Sequence, residues 1–241
     1  MGSEASTDRP AALVLFCRKP LPGQGKRRLV HALGERQTLA VACALLECAL
    51  EDALQWPGTL ILAPAHAAHA QWAAQLAPHA ARVVPQPEGN LGERIAAVDA
   101  LVRAAGSGCD RVLFMGSDAP SLQPLNLSAA AEALERSDVV LMPASDGGVT
   151  LMGSRVGWPD LTALPWSEST LGEALASACR AAGLSVAWLE GSYDVDEPAD
   201  CLLAIERLAY DHRPARRRLR ALLTGLRYPA PTPSLNGPPA S

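Results

Sequence analysis

Hydrophobic runs of two periods alternate along this chain. Ala11-Ala-Leu-Val-Leu-Phe-Cys17 is continuously apolar and of strand length, the mark of a strand buried on both faces. Thr59–Ala63, Ala81–Val84, Asp110–Met115, Asp138–Met142, Val149–Met152 and Ser185–Leu189 read as further strands. Between them the spacing turns helical. Leu39, Cys43, Leu46, Leu50 and Leu54 share a stripe, with Glu47, Glu51 and Asp52 off it. Helices are also predicted over 65–76, 92–105, 128–135, 170–182 and 199–209. Such alternation implies a mostly parallel, doubly wound α/β sheet in one domain. In such sheets ligands sit beyond the carboxyl ends of the strands.

Composition narrows the picture. The chain has 241 residues, suited to one α/β domain. Apolar residues make up 49% and aromatics 4%, so the core is built from Ala, Leu and Val. A net charge of −4 gives no global attraction to nucleic acid or anionic membrane, and neither is expected as a partner. The six cysteines form no C-x-x-C pair or zinc spacing and are read as buried free thiols. No apolar run reaches the ~18 residues of a spanning helix, and the first ten residues hold no signal-peptide core; cytoplasm is the expected location. The expected organisation is a loose tail over 1–10, the α/β domain over 11–209, and a basic helix with a Pro/Ser/Gly-rich tail over 210–241. Arginines from Arg213 to Arg220 interleave with leucines, as in an amphipathic helix docked on the domain; contact with RNA or acidic lipid is the alternative.

Candidate chemistry falls where strands end. The loop Lys19-Pro-Leu-Pro-Gly-Gln-Gly-Lys-Arg-Arg-Leu29 joins glycines, prolines and cations between a strand and a helix. It is not a Walker A loop, because Arg27 follows Lys26 where Ser or Thr is needed, and Arg28 excludes a dinucleotide fingerprint. Its glycines let backbone N–H groups approach an anion, and Lys26 and Arg28 suit the oxyanions of a di- or triphosphate. Asp118, in Gly116-Ser-Asp-Ala-Pro120, is placed to hold Mg²⁺ or to cap the next turn. In Tyr193-Asp-Val-Asp-Glu-Pro198 the extended chain points Asp194 and Asp196 to one side, suiting one divalent ion; N-capping of the next helix by Asp196 is the alternative. Pro87–Arg94 enters a helix through two glycines, with Arg94 near a base or phosphate or simply opening a helix. Ser145-Asp-Gly-Gly148 either admits an acceptor to the backbone or makes a tight turn between strands.

Taken in order, Lys19-Pro-x-Pro-Gly-x-x-Lys26-x-Arg-Leu29, Gly89-x-Leu-Gly-Glu-Arg94, Gly116-Ser-Asp-x-Pro120, Asp146-Gly-Gly148 and Tyr193-Asp-Val-Asp-x-Pro198 resemble the DUF2064 group. This is a group of GT-A-type nucleotide-diphospho-sugar transferases, also described as radical-SAM/selenodomain-associated transferases and similar to phospholactate guanylyltransferases. The resemblance runs from about Ala11 to Leu208. It implies a GT-A-like Rossmannoid sheet, Mg²⁺ (or Mn²⁺), and a nucleoside triphosphate or NDP-sugar. Carried over, Lys19, Pro22, Gly23, Lys26, Arg28, Gly92 and Arg94 would bind the nucleotide, with Lys26, Arg28 and Asp118 acting in the reaction. Asp118 and Asp196, with Asp194, would hold the metal, and Asp146, Gly147 and Gly148 would face a small-molecule acceptor. Three positions depart from the pattern: Arg27 stands where Thr or Ser is usual, Asn90 where Asp is usual, and Val149-Thr150 where aromatics commonly follow. The expected activity is nucleotidyl transfer with pyrophosphate release. The alternatives are glycosyl transfer from an NDP-sugar and nucleotide binding without catalysis.

Overall fold

A computed structural model describes residues 10–78, 81–104 and 110–228. The tails expected over 1–10 and beyond Tyr228 fall almost wholly outside the described residues, as does Cys109. Seven strands form one sheet: β1 (Ala12–Cys17), β2 (Leu60–Pro64), β3 (Ala81–Val83), β4 (Val112–Met115), β5 (Val139–Pro143), β6 (Val149–Ser154) and β7 (Val186–Trp188). Their order is β3-β2-β1-β4-β6-β5-β7. All neighbours are parallel except that β6 runs antiparallel to both β4 and β5. The fold class expected from sequence is therefore observed. The reversed strand follows from chain length: too few residues separate β5 from β6 for a parallel crossover, so the chain must turn back.

The apolar run of β1 is buried on both faces, as its composition requires. Leu13, Leu15 and Cys17 face a core closed by α2 (Glu35–Ala53), α3 (Ala70–Leu76) and α5 (Pro124–Arg136). Ala12 and Val14 face the opposite core, under α4 (Leu91–Ala104) and α6 (Leu171–Ala181). Each fully buried Leu or Val adds about 1.5–3 kcal/mol through removal of its surface from water. The helical stretch after the basic loop is split by Gly34, whose φ of 80° ends α1 (Arg27–Leu33) before α2 begins.

A third core lies beside the sheet, where α1 and α2 meet α7 (Pro198–Arg207) and α8 (Pro214–Thr224). Leu219 and Leu223 of α8 are fully buried there. The arginine-rich segment is thus a docked helix. Arg216 is wholly buried, while Arg218 pairs with Glu47 of α2 at 3.0 Å. Among the free cysteines Cys17, Cys48, Cys179 and Cys201 are buried as expected; Cys43 is exposed, because it lies on the outward side of α2. Among the described residues no helix is long and apolar enough to cross a membrane.

Candidate active site

A cleft of about 680 Å³ opens along the carboxyl ends of β1 and β4. Its walls include Arg18, Lys26, Arg27 and Arg28 from the first loop, Asp118 after β4, and Asp194 and Asp196. The last two arrive by a specific set of backbone bonds. Segment 192–196 lies along the end of β5, where Ser192 N donates to Pro143 O at 2.8 Å and Ser145 N to Ser192 O at 3.0 Å. Its other side is joined to the loop after β4: Val195 N donates to Asp118 O at 3.0 Å, and Ser121 Oγ to Tyr193 O at 3.0 Å. Because β6 occupies the position between β4 and β5, this segment closes the gap above it and carries its carboxylates to Asp118.

Lys26 meets these carboxylates from the other side. Its ammonium donates to Asp196 Oδ1 at 2.8 Å and to Val195 O at 2.6 Å, and lies 3.7 Å from Asp118 Oδ2. The backbone of Lys26 is left-handed, φ 41° and ψ 48°, immediately before α1. That conformation is uncommon for a side chain with a Cβ and turns the lysine inward out of the loop. Burial works against its charge, but Asp118 and Asp196 outweigh burial and raise its pKa. Asp194 is pushed up to about 7, first by burial and then by the charges of Asp118, Asp146 and Asp196. Four carboxylates thus share one region with one half-buried ammonium.

The helix after Asp196 is capped without it. Asp200 Oδ2 accepts from Glu197 N at 2.7 Å and Asp196 N at 2.9 Å, leaving the Asp196 carboxylate to Lys26. Arg28 is also engaged, its Nη1 2.6 Å from Glu197 Oε1. Arg94 lines the cleft while donating to Gly89 O at 3.0 Å and more weakly to Gln86 Oε1 at 3.4 Å.

Several residues expected at the site do not line it. Lys19, Pro22, Gly23, Gly92 and Gly147 are not among the cleft walls. Gly92 lets α4 approach the loop after β6; a Cβ there would lie 2.3 Å from Leu161 O. Gly147 lies in the turn between β5 and β6, where Gly148 N donates to Asp146 Oδ1 at 2.9 Å. A Cβ on Gly147, at φ 90°, would meet Ser169 O at 1.8 Å. The tight turn and the cleft wall are therefore one feature, since Asp146 and Gly148 do line the cleft.

The departure at Asn90 has a structural consequence. Its Oδ1 accepts from Glu93 N at 3.0 Å, which a carboxylate would also do. Its Nδ2 donates to Thr162 O at 2.9 Å, which a carboxylate cannot. That bond ties the start of α4 to the 155–170 loop, which brings Trp166, Ser167 and Glu168 to the cleft. Ser167 is held at φ 73°. These three residues, with Leu91, Gln86 and the edge-to-face pair Phe16–Phe114 (5.7 Å between centroids), were not singled out by sequence. Gln86 had a usable signal, being the first polar side chain after β3; its Nε2 donates to Ala63 O at 2.6 Å.

Asp118, Asp194 and Asp196 offer only oxygen donors, the chemistry preferred by Mg²⁺ and Mn²⁺. Among the described residues no group of three or more His, Cys, Asp or Glu side chains is placed to hold a metal ion.

Comparison with known proteins follows the same lines. A family profile described as "Uncharacterized protein conserved in bacteria (DUF2064)" matches residues 45–168, just over half of the chain. No curated protein matches the sequence. Among solved structures, a protein of Desulfovibrio desulfuricans G20, provisionally named a nucleotide-diphospho-sugar transferase, is 26% identical. The match covers 90% of this chain and 94% of that one, with a TM-score of 0.77. Rv0371c of Mycobacterium tuberculosis H37Rv is 21% identical over 83% of this chain and 100% of its own, TM-score 0.51. The 4-diphosphocytidyl-2C-methyl-D-erythritol synthase of Anaerococcus prevotii DSM 20548 is 9% identical over 81% and 96%, TM-score 0.50. The latter two are likenesses of fold alone.

Proposed function

The chain belongs to the DUF2064 family, and from that premise we propose that it is a divalent-metal-dependent transferase acting on a nucleotide. The reaction we favour is nucleotidyl transfer from a nucleoside triphosphate to a small phosphorylated or hydroxyl acceptor. The observation that carries this reading is the cleft's charge arrangement. Carboxylates Asp118, Asp194 and Asp196 gather around Lys26, and the guanidinium groups of Arg18 and Arg27 line the same wall.

In this reading an acceptor oxygen forms a bond to the α-phosphorus, the bond from that phosphorus to the bridging oxygen breaks, and pyrophosphate leaves. A hydroxyl acceptor releases its proton to solvent. A divalent metal would be held by one or two of the carboxylates Asp118, Asp194 and Asp196 and would supply charge neutralisation on the phosphates. Lys26 has three N–H donors and spends two on Val195 O and Asp196, so one remains for a phosphate oxygen. Arg18 and Arg27 add planar donors suited to phosphate. Asp146 and Gly148, which also line the cleft, are the proposed acceptor side. Leu91, Phe114 and Trp166 supply apolar wall for a base.

The likeness to the D. desulfuricans protein supports a second reading, glycosyl transfer from an NDP-sugar on the same residues. Calorimetric titration with the four nucleoside triphosphates and several NDP-sugars, each with and without Mg²⁺, separates the two. Metal-dependent preference for one triphosphate, followed by pyrophosphate release with an acceptor panel, is the expected result. Preference for an NDP-sugar without pyrophosphate release would move the assignment to glycosyl transfer. Saturable binding with no turnover would indicate a nucleotide-binding protein, and silence from every ligand would overturn the nucleotide reading itself.

A further inference from the structure

We propose that Arg216, on the C-terminal helix α8, is a positioning residue for the loop that carries Asp118. This inference rests on the reading of Asp118 as a metal-holding carboxylate.

The loop after β4 has two sides. In front, Asp118 O and Ser121 are bonded to the 193–195 segment. Behind, its carbonyls point to α8. Arg216 Nε donates to Pro120 O at 3.2 Å, and Nη2 to Leu122 O at 3.0 Å. Arg213 Nη1 donates to the same Leu122 O at 3.0 Å. The remaining donors of Arg216 are taken by Cys48 O, by Glu51 Oε2 at 3.0 Å and by Asp52, all on α2. One guanidinium therefore fixes two carbonyls, two and four residues beyond Asp118, relative to a rigid helix.

The burial makes this more than packing. Arg216 and Asp52 are each 0% exposed. Taking such a pair out of water is costly, and well-packed apolar side chains commonly match or exceed its stability. Leu219 and Leu223, on the same inward face of α8, show what apolar anchoring there looks like. What leucine cannot do is donate to Pro120 O and Leu122 O, and those carbonyls belong to the loop that places Asp118 opposite Asp196. Lysine, with a flexible stem and a compact charge, cannot bridge both carbonyls and α2 as the planar fork does. The helix also lies beyond residues 45–168, outside the span of the family match.

The test compares full-length wild type, Arg216→Lys and Leu219→Ala by Mn²⁺ titration, using electron paramagnetic resonance of free Mn²⁺ at a temperature where circular dichroism shows all three folded. Arg216→Lys should weaken Mn²⁺ binding by about tenfold to a hundredfold, the range for lost outer-sphere support of metal ligands. Leu219→Ala should lower the thermal midpoint and leave Mn²⁺ affinity unchanged. Equal Mn²⁺ affinity in Arg216→Lys and wild type would overturn the proposal, as would an equal loss in both variants, since that marks a merely structural helix. If Arg216→Lys does not fold, Arg216→Gln, which keeps a donor but loses the planar fork, takes its place; a weaker Mn²⁺ affinity supports the proposal and an unchanged one overturns it. Wild type that binds no Mn²⁺ would instead remove the metal reading of Asp118, and this inference with it.

Discussion

The ammonium of Lys26 lies 2.8 Å from Asp196 Oδ1, across 170 residues of sequence. It also lies 3.7 Å from Asp118 Oδ2, so one side chain joins the first loop, the loop after β4 and the segment before α7. The lysine is at once an internal counter-ion for carboxylates and a donor within the cleft.

Those two roles give opposite signs on substitution. Lys26→Met should weaken nucleotide binding by about 1.5–3 kcal/mol, the usual size of a hydrogen bond to a charged group. Without nucleotide, the same change removes the ammonium that neutralises Asp118 and Asp196, so Mn²⁺ alone should bind more tightly. Paired calorimetric titrations read both. Weakening of both ligands together would mean that Lys26 only holds the site's shape.

Gly147 and Gly183 separate close approach from backbone strain. Both have positive φ, at 90° and 79°, but a Cβ on Gly147 would meet Ser169 O at 1.8 Å while one on Gly183 meets nothing within 4 Å. Gly183→Ala should cost about 1–2 kcal/mol, the price of a left-handed residue with a Cβ. Gly147→Ala should cost more, and should also displace the 155–170 loop from the cleft. Urea denaturation of both variants, followed by the summed fluorescence of the five tryptophans, checks the ranking; equal costs would show that the loop yields freely.

Asp138 predicts a pH dependence away from the cleft. Hydrogen bonds from Ser185, side chain first and then backbone, followed by Arg155, hold its carboxyl down at about 2. A depressed carboxylate stabilises the fold above its unfolded pKa, near 4, and that contribution is lost as pH falls through about 2. The thermal midpoint should therefore drop over this window, and Asp138→Asn should make the drop shallower. An identical acid limb in the variant would assign the loss to other carboxylates.

The sequence carried much of the fold because each β-element announces itself locally. The unbroken apolar run of β1 reads as a strand buried on both faces and is one. The Leu39–Leu54 stripe located a helix but not its buried face: Leu46 is buried, Cys43 and Leu54 are exposed, and Asp52, placed off the stripe, is wholly buried against Arg213 and Arg216. The split at Gly34 was less legible, since glycine also occurs within helices and its φ of 80° is decided by how α1 and α2 pack. The strand order was not legible at all, because hydrogen-bond pairing between β4 and β6 leaves no mark in either segment.

The chemistry divides in the same way. Residue type and strand-end position determined which groups could bind an anion or a cation: Lys26, Asp118, Asp194 and Asp196 are all at the cleft. Local sequence could not say which charges were already spent. Arg28 pairs with Glu197, while Asp200 frees Asp196 from capping α7. Nor could it show that Gly92 and Gly147 serve close backbone approach, or that Arg216 turns inward to hold Pro120 and Leu122. Periodicity and turn chemistry act over a few residues and are written in the chain. Which ammonium meets which carboxylate is set by distances between segments that lie 92 residues apart for Lys26 and Asp118 and 170 for Lys26 and Asp196, and only the packed tertiary structure decides those.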